Sequence, residues 1–156
     1  MQKHENGTKE SAKDKIYSTF AAVASSMGYN EVHGRIIAAL LVAGKPLSLD
    51  ELCKITRYSP GSISLSLDLL ELVGIIKKMK NRGDRKLYVK MEGDLLDGLR
   101  KAFLFKLKKE TRSTINEFDK YKNNKEMKKT INILEKEIIR FDKYVDDLSR
   151  VKLPKK

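Results

Sequence analysis

Two histidines, one cysteine and 21 acidic residues are the first groups to test for catalysis or metal binding in this chain of 156. A nucleophilic site needs a base placed beside a serine or cysteine. His4 stands in a polar N-terminal stretch and His33 at the head of an apolar segment, so neither offers such a set. A structural zinc site needs four Cys or His ligands in paired spacing, and here the three are scattered. The pair Asp146-Asp147 lies in charge-rich helical sequence, where a solvated face accounts for it. No glycine-rich loop is present to cradle phosphate, because the glycines fall singly at the ends of elements. The expectation is a protein that is not an enzyme and uses no cofactor and no metal.

Binding chemistry is better marked. From Gly74 to Lys90 there are seven basic residues (Lys77, Lys78, Lys80, Arg82, Arg85, Lys86, Lys90) against one acid, Asp84, a local excess of +6. That is half of the formal +12 of the whole chain. Cations at this density suit an anionic partner, with nucleic acid first and a membrane surface second; the partner expected here is double-stranded DNA. Just upstream runs Ser59-Pro-Gly-Ser-Ile-Ser-Leu65. Ser59 suits an N-cap, Pro60 the first helical position, and Ile63, Leu67 and Leu70 a buried face. The small side chains at this helix start allow close approach to a partner. A helix of this kind can enter the major groove, where Ser62 and Ser64 would bond a base or phosphate and Leu65 would touch a thymine methyl group. The basic residues would follow the flanking backbone, with Arg82 or Arg85 reaching a narrow minor groove. Asp84 is expected to hold Arg85 in place. The candidate DNA-binding residues are therefore Ser59, Gly61, Ser62, Ser64, Leu65, Lys78, Lys80, Arg82, Arg85 and Lys86. The helix is poor in Arg, Asn and Gln, so phosphate contacts should supply most of the affinity.

The elements that must position these residues can be read in turn. Residues 1–11 are polar and are expected to be a flexible tail. A helix is predicted from about Ala12 to Met27, with Ile16, Phe20, Val23 and Ala24 on its apolar face. Asn30 caps a second helix over Glu31–Ala43, apolar enough to be the central core element, and Gly44 stops it. Ser48 and Glu51 have capping-box spacing, and Leu49, Leu52, Cys53 and Ile55 form the apolar side of a short third helix. Gly74 ends the helix over Pro60–Val73. Ile75-Ile76 and Leu87–Met91 read as strands around Asn81-Arg82-Gly83-Asp84, which is turn chemistry. The reading is mainly α with a small β-hairpin, a winged helix-turn-helix domain over residues 12–92 with recognition helix 60–73 and basic wing 77–86.

Residues 93–151 read as a helical arm broken near Asn123-Asn124, and 152–156 as a basic tail. Met127, Ile131, Leu134, Ile138, Phe141, Val145 and Leu148 follow at steps of four and three, a heptad seam. Such a seam serves a subunit interface, an intramolecular hairpin with Leu95–Phe118, or both. The first makes this a homodimerisation arm. The lone Cys53 excludes an internal disulfide and reads as a small buried residue in a reducing interior. No apolar run approaches ~20 residues, so no membrane span is expected, and the expected location is cytoplasmic.

Leu49-Asp-Glu-Leu-Cys53, Ser59-Pro-Gly-Ser-Ile-Ser-Leu-Ser-Leu67, Leu69-Leu-Glu-Leu-Val-Gly-Ile-Ile76 and Gly83-Asp-Arg-Lys86 together resemble the winged-helix core of MarR-type regulators, nearest to the GbsR-like branch. The resemblance covers about Ala12 to Met91 well and the arm in outline. It implies a homodimeric transcription factor, usually a repressor, on a two-fold operator. The family pattern often has Lys where this chain has Pro60, which removes one phosphate contact. No residues transfer a small-molecule effector. A winged helix serving as a protein–protein interaction module is the reading from a different class.

Overall fold

The computed structural model describes residues 2–80 and 82–156, with side chains from Glu10 onward. Asn81 of the expected wing turn and the side chain of His4 lie outside the described residues. The chain divides into one unit that ends at Leu95 and a second over Leu96–Lys156. The first is a winged helix-turn-helix.

In the first unit α1 (Gln2–Ser26) and α2 (Glu31–Ala43) come first. Then follow β1 (Leu47–Ser48), α3 (Leu49–Thr56), α4 (Pro60–Leu72), β2 (Ile76–Lys80) and β3 (Leu87–Met91). α2 is the centre, with Val32, Gly34 and every residue from Ile36 to Leu40 buried. Its ends follow the sequence: the Asn30 side chain accepts from the Val32 N–H at 3.2 Å, and Gly44 closes it at φ +62°. α1, α3, α4 and β3 all touch α2. Ile36, Leu40, Leu52, Ile63, Leu67, Ile75, Ile76 and Val89 are fully buried and form the core of this unit.

Two expectations about α1 change. It begins at Gln2, so the helix takes in the stretch read as a tail; residues 2–11 hold no proline and a single glycine to break it. Its buried residues are Ala21 and Ala24, while Ile16 and Val23 are exposed. The reason is Gly34. A Cβ built there would run into the Phe20 carbonyl and stand 2.8 Å from the Ala21 nitrogen, so the two backbones cross in near contact. Only small residues fit at such a crossing, and the large apolar residues of α1 are displaced to its flanks. α3 is likewise narrower than expected: Leu52 and Thr56 are buried, but Ile55 is exposed and Cys53 half-buried.

The sheet has three strands in the order β1-β3-β2. β2 and β3 pair antiparallel from Ile76↔Met91 to Lys80↔Leu87. β1 has no counterpart in the sequence reading; Leu47 and Ser48 pair with Val89 and Tyr88. Two residues carry too little alternation to show as a strand. Ser48 also caps α3, accepting from the Glu51 N–H at 3.2 Å, while Glu51 accepts the Ser48 N–H at 2.7 Å.

The second unit holds α5 (Leu95–Tyr121) from Leu96 on and α6 (Lys128–Ser149), with the break where Asn123-Asn124 placed it. Lys122 pairs with Glu135 at 2.8 Å, Lys108 with Asp142 at 2.8 Å, and Arg100 donates to the Val151 carbonyl. Partners that run in opposite senses along the two helices define an antiparallel hairpin.

Gly34→Ala is expected to destabilise the first unit by about 2 kcal/mol or more, since the methyl meets backbone that cannot turn aside. In thermal unfolding that is a fall of roughly 10 °C for a unit of this size. An unchanged melting temperature would contradict the close crossing.

Candidate nucleic-acid interface

α4 turns Ile63, Leu67 and Leu70 inward, all buried. At 3.6 residues per turn the opposite ridge is Gly61, Leu65, Asp68 and Leu72. Leu65 is 74% exposed and Leu72 70%. A Cβ at Gly61 would meet nothing within 4 Å. Ser59 is the N-cap: its hydroxyl oxygen accepts from the Ser62 N–H at 3.2 Å and its proton goes to Ser62 Oγ at 3.0 Å. Ser64 is exposed beside this ridge. Of the serines singled out in sequence, Ser59 and Ser62 are thus engaged with each other at the helix start.

Sequence reasoning missed Arg57. It ends α3 in the left-handed conformation, φ +62°, with its N–H donating to the Cys53 carbonyl at 2.9 Å. That conformation costs a residue with a Cβ about 1 kcal/mol. The side chain is exposed in the link that leads into the N-terminus of α4. The signal was a three-residue link between two capped helices with no glycine to take that conformation.

The wing cations divide into two groups. Lys80, Arg82, Arg85 and Lys86 are exposed, and none makes an ion pair among the described residues. Lys78 instead turns back to α4, where its ammonium pairs with Asp68 and, at 3.3 Å, with Glu71. These two carboxylates hold the Lys78 ammonium above its usual range, Asp68 the more strongly. The Lys78 N–H also donates to Glu71 Oε1 at 2.9 Å. β2 is an outer strand of the sheet, so this bond satisfies a backbone group that the ladder leaves open. Lys78 therefore ties the wing to α4 and is not a free cation like its neighbours.

Asp84 also differs from expectation. It does not hold Arg85. Its carboxylate accepts the Lys86 N–H at 2.9 Å and the Tyr88 hydroxyl at 2.9 Å. Those two donors, the backbone one first, hold its carboxyl below the ordinary carboxylate range. Gly83, at φ +81°, supplies the turn conformation. A short acid next to a turn bonds backbone two residues on more readily than it reaches a neighbouring guanidinium.

In the hairpin unit the heptad seam splits in two. Ile131 and Val145 are buried and Ile138 half-buried, on the side where Glu135 and Asp142 meet α5. Asp142 accepts from Lys108 and from the Thr111 hydroxyl at 2.8 Å, which holds its carboxyl low. Met127, Leu134 and Phe141 are exposed, with Leu148 half-buried, seven residues apart along the flank of that side. On α5, Leu96, Phe103 and Tyr121 are exposed. Helical phase places them on the corresponding flank, so one side of the hairpin carries apolar residues from both helices.

Among the described residues no cluster of His, Cys, Asp and Glu has the makings of a metal site, and no helix is long and apolar enough to cross a membrane. No protein-family model matches the sequence, and no curated protein matches it. Among solved structures, a crystal structure of a transcriptional regulator is similar in fold, with a TM-score of 0.64 and 18% identity. The likeness covers 89% of this chain and 97% of that one.

Because the carboxyl of Asp84 is depressed in the folded wing, its tie is complete above the ordinary carboxylate value of about 4 and is lost as pH falls through the lower folded value. Amide exchange at Lys86, corrected for its intrinsic pH dependence, should lose protection over that acid range. Asp84→Ala should remove the protection at every pH with little change in melting temperature. Unaltered Lys86 exchange in the variant would count against this tie.

Proposed function

We propose that the chain is a DNA-binding transcriptional regulator of the MarR type, nearest to the GbsR-like branch. It acts as a homodimeric repressor on a two-fold operator. The observation that carries the reading is the group of exposed wing cations, Lys80, Arg82, Arg85 and Lys86, none of which makes an ion pair among the described residues. Some lysines elsewhere are neutralised, Lys101 by Asp97, Lys106 by Glu110 and Lys120 by Glu117, and what sets the wing apart is the density of its cations, seven against one acid from Gly74 to Lys90. Cations left unpaired beside a capped helix suit phosphates. α4 (Pro60–Leu72) enters the major groove by its Ser59–Leu65 end, and the wing follows the backbone. Arg57 adds a cation at the same helix start. The similar solved structure is that of a transcriptional regulator, which supports the reading through the fold.

The homodimer rests on the apolar side of the hairpin. Met127, Leu134 and Phe141 recur every seven residues, and Phe103 and Tyr121 of α5 extend the surface. A stripe with this period fits a like stripe on a second copy. A small-molecule effector has no assigned residues.

A second reading is favoured by Leu65 and Leu72, two leucines exposed on the outer ridge of α4. A protein-interaction module would use such residues as apolar anchors.

Fluorescence anisotropy with a duplex across a salt series separates these readings. DNA binding predicts a log–log slope of about −0.9 per phosphate contact. In Arg82→Ala/Arg85→Ala, a dimer loses up to four phosphate contacts, and the slope should flatten by as much as about 3.6. Weak binding that ignores salt in both proteins would favour the interaction module. For the dimer, sedimentation velocity should give twice the chain mass for wild type and monomer for Leu134→Glu/Phe141→Glu, with helical content unchanged. A wild-type monomer at high micromolar concentration would contradict it.

A further inference from the structure

We infer that Leu65 is a specificity-determining residue that reads the 5-methyl group of thymine in the major groove. This rests on the DNA-binding reading of α4, and it says what that helix recognises.

The argument runs by what the outer ridge of α4 has left to offer. Hydrogen-bonded readout of base edges is mostly the work of Arg, Lys, Asn and Gln, and the helix Pro60–Leu72 contains none of them. Its two acids are engaged: Asp68 pairs with the Lys78 ammonium, and Glu71 takes both that ammonium and the Lys78 N–H. Ser59 donates its hydroxyl proton to Ser62 Oγ at the helix start, and Ser62, which keeps its own proton, lies about a quarter turn off the ridge. The Ser66 hydroxyl donates to the Ser62 carbonyl at 2.9 Å and is buried. Ser64 lies beside the ridge rather than on it. What the ridge presents near its leading end is Gly61, with open space where a side chain would be, and one turn later Leu65, 74% exposed.

A leucine in water that deeply keeps apolar surface hydrated unless a partner covers it. In the major groove the one apolar group on a base edge is the thymine methyl. Gly61 permits the close approach that brings the isobutyl group to it. Covering one methyl contributes about fourfold in affinity. Leu72 shares the ridge and the exposure, but lies seven residues on, about 10.5 Å further from the leading end. It serves as the control.

The probes are a duplex of alternating dA and dT and the same duplex with deoxyuridine for every dT, which removes the methyl groups and keeps the pairing. Wild type should bind the dT duplex about fourfold more tightly or better, at matched salt. Leu65→Ala should bind both alike, and Leu72→Ala should keep the wild-type preference. Equal wild-type affinity for the two duplexes would overturn the inference while leaving salt-dependent DNA binding intact. A preference that survives in Leu65→Ala would overturn it too, by tracing the difference to duplex shape. Loss of the preference in Leu72→Ala as well would overturn the assignment to Leu65. Absence of salt-dependent binding to either duplex would remove the DNA-binding reading and this inference with it.

Discussion

Ile63, Leu67 and Leu70 bury one side of α4 against the rest of its unit, and that burial decides what α4 shows to its surroundings. Each such side chain contributes about 2 kcal/mol when removed from water, so rotating the helix by half a turn is out of reach. With those three inward, Gly61, Leu65, Asp68 and Leu72 must face outward. The inward side of α4 packs against α2, α3 and β2, and α2 can be central because it is apolar nearly all round. α2 in turn meets α1 at the close crossing at Gly34. The chain of dependence runs from a glycine and a few alanines to the face of a helix far from them in sequence.

The distribution of charge follows a second constraint. A wing carried on an outer strand has open backbone groups and a heavy load of like charges. Glu71 takes the strand N–H at residue 78, and Asp68 with Glu71 neutralises one ammonium. Asp84 spends its carboxylate on the turn backbone and on Tyr88. These contacts fix the wing, and Lys80, Arg82, Arg85 and Lys86 make no ion pair among the described residues. The arrangement separates residues that shape the surface from residues that meet whatever lies outside it. In the proposed reading the outside partner is the DNA backbone.

Much of this was legible in the sequence. The limits of α2, the Ser48–Glu51 box, the Ser59 cap with Pro60, and the break at Asn123-Asn124 were marked by residues whose local chemistry permits little else. What failed to show depended on partners distant in sequence. The face of α1 was misread because periodicity favours large residues, whereas Gly34 demands small ones. β1 is two residues long and exists only because β3 lies beside it. Lys78 looked like its neighbours until Asp68, ten residues away, was seen to hold it. The heptad seam had one period and two destinations, because Ile131 and Val145 sit inside the hairpin while Leu134 and Phe141 stay outside. Arg57 carries no local signal at all beyond the shortness of its link.

The measurement that tests the account most directly is amide hydrogen exchange, free and with a saturating duplex at low salt. The account predicts slowed exchange concentrated in two stretches, the start of α4 from Arg57 to Leu65 and the wing from Lys77 to Lys86, with α5 and α6 unchanged by DNA. Protection confined to other segments, or none in these two at saturation, would contradict the assignment of this face to DNA.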